Sequence, residues 1–366
     1  MTQSKNITGI TKIAATIGQT TCGIEMLRQL RRAGVSLFRY NLAAQLGLEE
    51  HSRRMRLFRE VQAEQGDSIE LMLDVPFPGA KYRVGMLPEP RHLIERGSRL
   101  TFASGVATDS IDLFVPVDVP RLGERVTKDQ IVTVGDGELA LRVHQVIDSN
   151  SFVGEAITTH YLPCQKSLNF GAVDLTATAR NEDLAAFVAQ TRPECIAFSF
   201  VEDLKSAKEA FVLLERHGLP RSAYKAIAKI ETECGIRELP EFIREFEGIM
   251  VARGDLALNM DFAYLGEAQD HLIEACRAFG RLCIVCTQLC ESVATSGVPN
   301  RSELAGMHHI AASEVEYMLL AKETSTLAEP LRAVSILHRI IEAVRNPLFK
   351  RSASKSENAV DHGLLT

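Results

Sequence analysis

The sequence predicts an α/β protein, a (β/α)8 TIM barrel with a small all-β lid domain inserted after the third strand. Three observations support this prediction. Short apolar runs alternate with amphipathic helical stretches, as expected for parallel strands joined by crossover helices. Charged residues stand where several of these buried runs end. One interval changes to short alternating strands separated by Gly, Asp and Asn turns.

Composition limits the class of protein. A chain of 366 residues, 46% of them hydrophobic, can bury one large core and a second module. Its formal net charge of −6, with dispersed Lys and Arg, gives no reason to expect a nucleic acid or an anionic membrane as partner. The N-terminus lacks an apolar signal core and no run approaches a membrane span, so we expect a cytoplasmic protein.

Eight short apolar runs, each bounded by turn residues, are predicted as the barrel strands. In chain order they are residues 12–18, 35–43, 69–75, 195–201, 225–232, 248–255, 282–288 and 316–324. Apolar residues at helical spacing predict the clearest helices at 204–217, 235–246, 264–279 and 330–345.

The interval 86–166 breaks this alternation and is predicted to be the lid, since the barrel pattern resumes after it. We therefore expect residues 1–85 and 167–347 to form the barrel, and 348–366 to form a flexible tail. A module inserted at the mouth of a barrel can exclude water from the site.

The strongest chemical signal is the stretch 225–255, where Lys229, Glu231 and Asp255 stand at strand ends. Charge is costly in buried strands but is tolerated at the carboxyl end of a barrel. Glu231 and Asp255, on neighbouring strands, could share a divalent ion such as Mg²⁺, and Lys229 could stabilise a transferring phosphoryl group. A structural salt bridge of Lys229 with either carboxylate remains an alternative.

Other predicted strands end in, or are followed by, further polar side chains, namely Arg39, Asn41, Asp74, Lys81, Arg83, Thr287 and Gln288. The cations among them, together with Lys229, predict an anionic and phosphorylated substrate. Ala252, Arg253, Gly254 and Asp255 are predicted to open a short helix whose backbone N–H groups would bind a carboxylate or phosphate.

Two patterns resemble metal sites but favour other roles. Cys283 and Cys286 lie three apart on a predicted strand, so they face opposite sides and cannot chelate one ion. His308 and His309 are adjacent on a helical stretch, where neighbouring side chains point about 100° apart. A surface or capping role is expected for them.

With Lys229, Glu231 and Asp255 at strand ends, residues 11–345 resemble the pyruvate kinase family. The motifs occur in order: TKIAATIG, AGVSLFRYNLA, LDVPFPGAKYRVG, VGDGELALRV, KSLNFGAVDL, AKIETECGI, GIMVARGDLAL, VCTQLCES and PNRSE. The resemblance implies a barrel with a β lid after strand three. It also implies the glycolytic transfer of a phosphoryl group from phosphoenolpyruvate to ADP, which gives the enolate of pyruvate, followed by its protonation.

The resemblance further implies roles for individual residues. Glu231 and Asp255 would hold Mg²⁺ or Mn²⁺, Lys229 would stabilise the phosphoryl group in flight, Arg39 would meet the phosphate and Thr287 would lie near the enolate. The remaining implied contacts are the backbone of Ala252, Arg253, Gly254 and Asp255 for the substrate carboxylate, Asp74 and Arg83 for the phosphate and monovalent-cation region, and Asn41, Asp136 and Lys166 for the nucleotide, with Asn41 also bordering the phosphate region.

The chain departs from the family pattern near the cation region. Residues 41–45 read Asn-Leu-Ala-Ala-Gln where the family reads Asn-Phe-Ser-His-Gly, which removes a potassium-ligating hydroxyl and a histidine near the nucleotide. Val75 replaces a threonine that is another potassium ligand. Lys81 falls where potassium-independent members carry lysine, so we expect Lys81, with Asp74, to substitute for potassium.

Other departures concern regulation and identity. The chain stops soon after the last barrel helix. We therefore expect effector control through the family's C-terminal domain, and the tetramer contacts of that domain, to be missing. A homodimer remains an alternative. Ala321 and Lys322 replace the usual Ser-Gly. Besides a phosphotransferase, two hypotheses remain: a repurposed metal-dependent lyase or decarboxylase acting on another enol or oxo acid, and a non-catalytic pseudo-enzyme. Asp136 and Lys166 in the lid favour nucleotide binding, and the costly buried charges disfavour the pseudo-enzyme.

Overall fold

The computed structural model describes residues 11–43, 46–65, 69–79, 81–171 and 179–348. The departures noted at Ala44 and Gln45, and nearly all of the predicted tail, lie outside the described residues.

Strands make up both the barrel and the lid. In chain order they are β1 (Lys12–Ile17), β2 (Val35–Asn41), β3 (Glu70–Pro78), β4 (Arg91–Ile94), β5 (Arg99–Ser104), β6 (Val115–Val117), β7 (Ile131–Val134), β8 (Leu139–Asp148), β9 (Ser151–Ala156), β10 (His160–Pro163), β11 (Leu168–Asn169), β12 (Cys195–Ser199), β13 (Lys225–Ile230), β14 (Gly248–Ala252), β15 (Leu282–Cys286) and β16 (Tyr317–Leu320).

Helices cover the outside of the barrel and follow several of its strands. They are α1 (Ile24–Arg32), α2 (Leu48–Gln65), α3 (Ala179–Thr191), α4 (Leu204–Arg216), α5 (Glu233–Arg237), α6 (Leu239–Glu245), α7 (Arg253–Leu256), α8 (Leu265–Phe279), α9 (Ser292–Ser296), α10 (Arg301–Ala312), α11 (Lys322–Ser325) and α12 (Pro330–Arg345). No helix within the described ranges is long and apolar enough to cross a membrane.

Eight parallel strands close into a barrel in the order β1-β16-β15-β14-β13-β12-β3-β2, so the predicted (β/α)8 fold is confirmed. Each of the eight predicted runs overlaps a barrel strand. Their side chains divide between two apolar layers, one inside the barrel and one between the strands and the helices. Since the eight barrel strands are parallel, their carboxyl ends all lie at the same end of the barrel, which we call its mouth.

Local sequence signals fix where several helices begin and end. Asp203 accepts a hydrogen bond from the backbone N–H of Ser206 at 2.7 Å and so caps α4. Asn300 and Glu303 form a reciprocal capping box at the start of α10. Gly280 ends α8 in a left-handed conformation, with φ of 61°.

Seven of the eight predicted barrel strands end earlier than the sequence pattern indicates, and three of these early ends shape the site. The runs predicted as 248–255 and 316–324 turn into the short helices α7 and α11, so Asp255 lies on a helix. The run 282–288 stops at Cys286 because Thr287 and Gln288 adopt left-handed backbone angles, with φ of 73° and 52°. These breaks turn the backbone across the mouth of the barrel.

The lid follows β3, as predicted, and has its own apolar cluster, which extends from Tyr82 to Phe170. Its main sheet has the order β11-β7-β8-β9-β5-β6, and only β5 and β6 pair in parallel. The lid contacts the barrel through the turn after β7, where Asp136 forms an ion pair with Lys322. The same turn favours a glycine at position 137, because Gly137 has a φ of 102°.

A candidate active site at the mouth of the barrel

Five charged side chains meet at the carboxyl ends of neighbouring strands and form what we call the mouth cluster: Arg39, Asp74, Lys229, Glu231 and Asp255. The sequence predicted that these residues stand at strand ends. The barrel brings the ends of β2, β3, β13 and β14 together and so makes them neighbours.

Asp74 is the centre of the mouth cluster and is 1% exposed. It accepts hydrogen bonds from Arg39 Nε at 2.7 Å, from Lys229 Nζ at 3.1 Å and from Ser199 Oγ at 3.2 Å. Burial opposes its ionisation, but Lys229 and Arg39 outweigh burial and lower the pKa of Asp74. Asp74 is therefore a buried carboxylate that holds two cations at the mouth.

Lys229 is buried with its ammonium group fixed on three sides. Its Nζ lies 3.1 Å from Asp74, 3.1 Å from Glu231 Oε1 and 3.0 Å from Ser199 Oγ. Although burial favours the neutral amine, Asp74 and Glu231 raise the pKa of Lys229 above its ordinary value. The salt bridge with Glu231 that the sequence left open is present, and Asp74 is a further partner of Lys229.

Glu231 and Asp255 have their carboxyl groups within hydrogen-bonding reach of each other. Glu231 accepts a hydrogen bond from the backbone N–H of Phe200 at 2.7 Å. Burial raises the pKa of Glu231 to about 7. The negative charge of Asp255 also raises this pKa, whereas the positive charge of Lys229 lowers it. Two adjacent carboxyl groups in which one resists ionisation form a favourable position for an added cation.

The donor set at this position fits a magnesium ion. No group of three or more His, Cys, Asp or Glu side chains that could hold a metal occurs in the described part of the chain. Mg²⁺ does not need such a group, because proteins commonly bind it with one or two carboxylates and leave other positions to water and substrate oxygens. Lys81 forms an ion pair with Oδ1 of Asp255, and it lowers the pKa of that carboxyl against the effect of burial.

Thr287 lies at the end of β15, directly over the start of α7. A Cβ added to Gly254 would lie only 2.6 Å from Thr287 Cγ2, so a glycine is required for this close approach. Arg253 directs its side chain to the same loop and donates hydrogen bonds to the carbonyl oxygens of Thr287 at 2.5 Å and Gln288 at 3.0 Å. The helix α7 begins at Arg253, directly after Ala252, so the predicted short helix at this position is present.

Predicted residues outside the mouth cluster have other contacts. Arg83 donates a hydrogen bond to the carbonyl oxygen of Gln165 at 3.0 Å, which joins the two chain segments that connect the lid. Asp136 is paired with Lys322 of α11, and Lys322 also lies 3.6 Å from Glu291. Lys166 is exposed and lines, with Asp136, a cavity of about 220 Å³ on the lid.

A larger cavity of about 630 Å³ adjoins the mouth cluster and shares Arg39 with it. Asn41 lines this cavity and uses its side-chain oxygen to accept a hydrogen bond from the backbone N–H of Ala43 at 2.9 Å. Arg54 and Lys322 add two further cations to its walls. Its volume and charge suit an anionic ligand of nucleotide size.

Some polar residues of the site were not singled out from the sequence. Ser199 bonds both Asp74 and Lys229, and Thr16 Oγ1 accepts a hydrogen bond from Arg39 at 3.2 Å. Both end, or nearly end, a barrel strand, which is the signal that could have identified them. Glu323 is 1% exposed and accepts hydrogen bonds from the backbone N–H groups of Leu289 and Ala321 at 3.0 and 2.8 Å.

The cysteine and histidine patterns have the geometry expected for other roles. Cys283 packs in the outer apolar layer, whereas Cys286 packs inside the barrel, so the two thiols face opposite sides of β15. His309 lies on α10 and contacts the surface residue Asp270 at 3.1 Å.

Comparison with known proteins gives a consistent result. The family model described as pyruvate kinase, barrel domain, matches residues 9–334. A pyruvate kinase of Agrobacterium vitis is 30% identical over 335 residues, which cover 90% of this chain and 67% of the relative. One of Chlamydia trachomatis is 30% identical over 91% of this chain and 68% of its own length. One of Thermococcus litoralis is 26% identical over 90% and 68%, respectively.

Proposed function

Since this chain belongs to the pyruvate kinase family, we propose that it transfers a phosphoryl group between phosphoenolpyruvate and ADP with Mg²⁺, giving pyruvate and ATP. The observation that carries the proposal is the position of Lys229. Its buried ammonium group is fixed between Asp74 and Glu231, beside the carboxyl pair that fits a metal ion and beside the guanidinium of Arg39.

Arg39 and Lys229 act on the phosphoryl group in this proposal. Both are held by Asp74, so their positive charges are already in place before a substrate binds. Fixed charges of this kind stabilise the charge on the transferring group without reorganisation during the reaction. Mg²⁺, bound by Glu231 and Asp255, would neutralise further negative charge on the substrate oxygens. The backbone of Ala252, Arg253, Gly254 and Asp255 would orient the substrate carboxylate.

The acceptor would occupy the cavity of about 630 Å³ that shares Arg39 with the mouth cluster. Asn41 lines this cavity, and Asp136 lies at its edge through the ion pair with Lys322. Both partners of that pair are about half exposed, so a phosphate can displace Asp136 from Lys322 at small cost. Lys166 would contact the nucleotide from the lid, and Arg83 would hold the lid segments beside the phosphate region.

The proposal predicts that pyruvate forms only when phosphoenolpyruvate, ADP and Mg²⁺ are all present. The measurement is pyruvate release coupled to an NADH-dependent dehydrogenase, with each component omitted in turn. If folded protein that binds Mg²⁺ and ADP gives no pyruvate, the donor or the acceptor is a different compound, and the proposed substrates are wrong.

One observation favours a second candidate, a metal-dependent lyase or decarboxylase. The lid residue expected to meet the nucleotide, Asp136, is already paired with the barrel through Lys322. A site that stabilises a pyruvate enolate with Mg²⁺ and Lys229 needs no nucleotide. Conversion of oxaloacetate to pyruvate without ADP, lost on adding a chelator, would select this candidate.

We also propose that the reaction does not need potassium. The Lys81 ammonium contacts Asp255, beside the metal position, and supplies one positive charge close to the mouth cluster, of which Asp74 is the centre. Turnover is therefore expected to change by less than about twofold when potassium is replaced by tetramethylammonium, because the fixed charge is not exchanged with solvent.

The Lys81→Glu variant provides the matched test. It reverses the charge beside Asp255 and should lower turnover in tetramethylammonium by about tenfold or more, with partial recovery in potassium. A wild-type protein that loses most of its activity without potassium would contradict the proposal.

A further inference from the structure

Arg253 is a half-buried cation whose side-chain hydrogen bonds, among the described residues, go to neutral groups. Its guanidinium donates hydrogen bonds to the carbonyl oxygens of Cys286 at 3.4 Å, Thr287 at 2.5 Å and Gln288 at 3.0 Å. A fourth contact joins it to Gln269 Oε1 at 3.5 Å. Burial lowers the pKa of Arg253. A guanidinium directed at three consecutive carbonyl groups indicates that Arg253 fixes the shape of this turn.

The loop that Arg253 holds has an unfavourable backbone. Thr287 and Gln288 are consecutive non-glycine residues with φ of 73° and 52°. Threonine is β-branched and strongly disfavours this conformation. Such conformations persist only when the surrounding contacts fix them, and they cluster at functional sites.

Thr287 is restrained from a second side by α7. Its methyl group occupies the space where a side chain on Gly254 would start. Its hydroxyl donates a hydrogen bond to Cys286 Sγ at 3.5 Å. Burial raises the pKa of that thiol, and the nearby charges of Arg39 and Lys229 oppose this rise without outweighing it. The hydroxyl of Thr287 therefore contacts a thiol that lies near Arg39 and Lys229 of the mouth cluster.

We infer that Arg253 is a positioning residue: its guanidinium fork holds the strained Thr287–Gln288 turn so that the Thr287 hydroxyl is fixed at the mouth. This inference rests on the proposed function, in which Thr287 lies beside the enolate that is protonated. In this role the Arg253 side chain acts through the backbone of the turn and not on the reacting atoms. The planar fork matters because its donors are spread over a rigid group, whereas the donors of a lysine share one nitrogen at the end of a flexible stem.

The first test compares Arg253→Lys with a matched control, Arg281→Lys. Arg281 lies just before β15 and also donates to two carbonyl oxygens, those of Ile243 at 2.7 Å and Arg244 at 3.0 Å, away from the mouth. We expect Arg253→Lys to lower kcat by about 10- to 100-fold with KM for phosphoenolpyruvate changed less than about threefold, because the substrate still binds but the reacting group is displaced. The control should keep both constants.

Two further measurements separate positioning from charge. Deuterium exchange into the methyl group of pyruvate, in D2O with Mg²⁺ and ATP, reports the reverse of protonation, in which a C–H bond breaks and the proton leaves to solvent. It should slow by the same factor as kcat. Backbone amide exchange in residues 284–292 should become faster in Arg253→Lys and stay unchanged in Arg281→Lys.

Several outcomes would overturn the inference. An unchanged kcat in Arg253→Lys would do so, and so would a raised KM with unchanged kcat, which would mean that the charge of Arg253 only binds substrate. If Arg253→Lys does not fold, Gly254→Ala displaces Thr287 from the opposite side and should give the same loss of kcat; a fully active Gly254→Ala would exclude the inference. If wild-type protein has no activity, the proposed function fails separately, and amide exchange alone decides whether Arg253 holds the turn.

Discussion

Replacing Lys229 with methionine is expected to reduce turnover by at least about 10³-fold, because a fixed positive charge at a transferring phosphoryl group is a major source of rate enhancement. Methionine has a similar length and leaves the packing of β13 intact. The measurement is the rate of pyruvate formation at saturating phosphoenolpyruvate, ADP and Mg²⁺.

The same substitution should also lower stability by roughly 3–5 kcal/mol, because Asp74 and Glu231 would each lose a buried cationic partner. The matched control is Lys225→Met at the opposite end of β13. Lys225 pairs with Glu70 at 2.6 Å and is 44% exposed, so its loss should cost less than about 1 kcal/mol and leave activity unchanged. Equal effects of the two substitutions on activity would show that Lys229 has no special role.

Replacing Glu231 with glutamine is expected to raise the Mg²⁺ concentration needed for half-maximal activity by at least about 100-fold, since loss of a direct ligand should exceed the 10- to 100-fold effects of groups that only orient ligands. Glu233→Gln is the matched control. Glu233 lies on the exposed face of α5 and pairs with Arg237 at 3.3 Å, away from the mouth cluster. Metal binding can be followed by calorimetry, so that the result does not depend on catalysis.

Without metal, Glu231→Gln should change the pH dependence of stability. Burial raises the pKa of Glu231 to about 7, above its value in the unfolded chain. The folded protein therefore binds more protons than the unfolded chain between about pH 4 and 7, and the wild-type free energy of unfolding falls as pH rises through that window. The variant lacks this titrating group. Its free energy of unfolding, relative to that of the wild type, should therefore rise by on the order of 1–3 kcal/mol from pH 5 to pH 8 when a chelator is present. A difference that does not vary with pH would contradict the raised pKa.

Strand periodicity was enough to find the charged residues of the site. Lys229 lies on a barrel strand and Glu231 directly after one, and both interrupt an otherwise apolar run, which makes them visible in the sequence. The sequence did not show that Asp74 holds both Arg39 and Lys229. That pairing depends on the register of β3 with its neighbours, where Asp74 lies opposite Asn41 of β2 and Ala197 of β12. Register between distant strands is set by closure of the barrel and has no local sequence signal.

Small polar residues were harder to identify than charged ones. Serine and threonine occur on buried strands as well as at functional sites, so the residue types of Ser199 and Thr16 alone indicate no function. The contacts of Arg253 were also not predictable, because they are made to a turn in which Thr287 and Gln288 have left-handed backbone angles. Nothing in their residue types favours such angles. These contacts are products of tertiary structure, and only the coordinates of neighbouring loops reveal them.

The insertion of the lid between β3 and β12 has a consequence for synthesis on the ribosome. A hydrogen bond joins Leu71 of β3 to Glu194, which directly precedes β12 and is 123 residues away. Another joins Thr16 of β1 to Thr324 of α11, which lies just after the last strand and is 308 residues away. The lid has its own apolar cluster with contacts between nearby residues, so it can fold while the barrel strands before it still lack partners. We therefore expect the nascent chain to present β1 to β3 as an open edge, which needs protection until β16 has been translated.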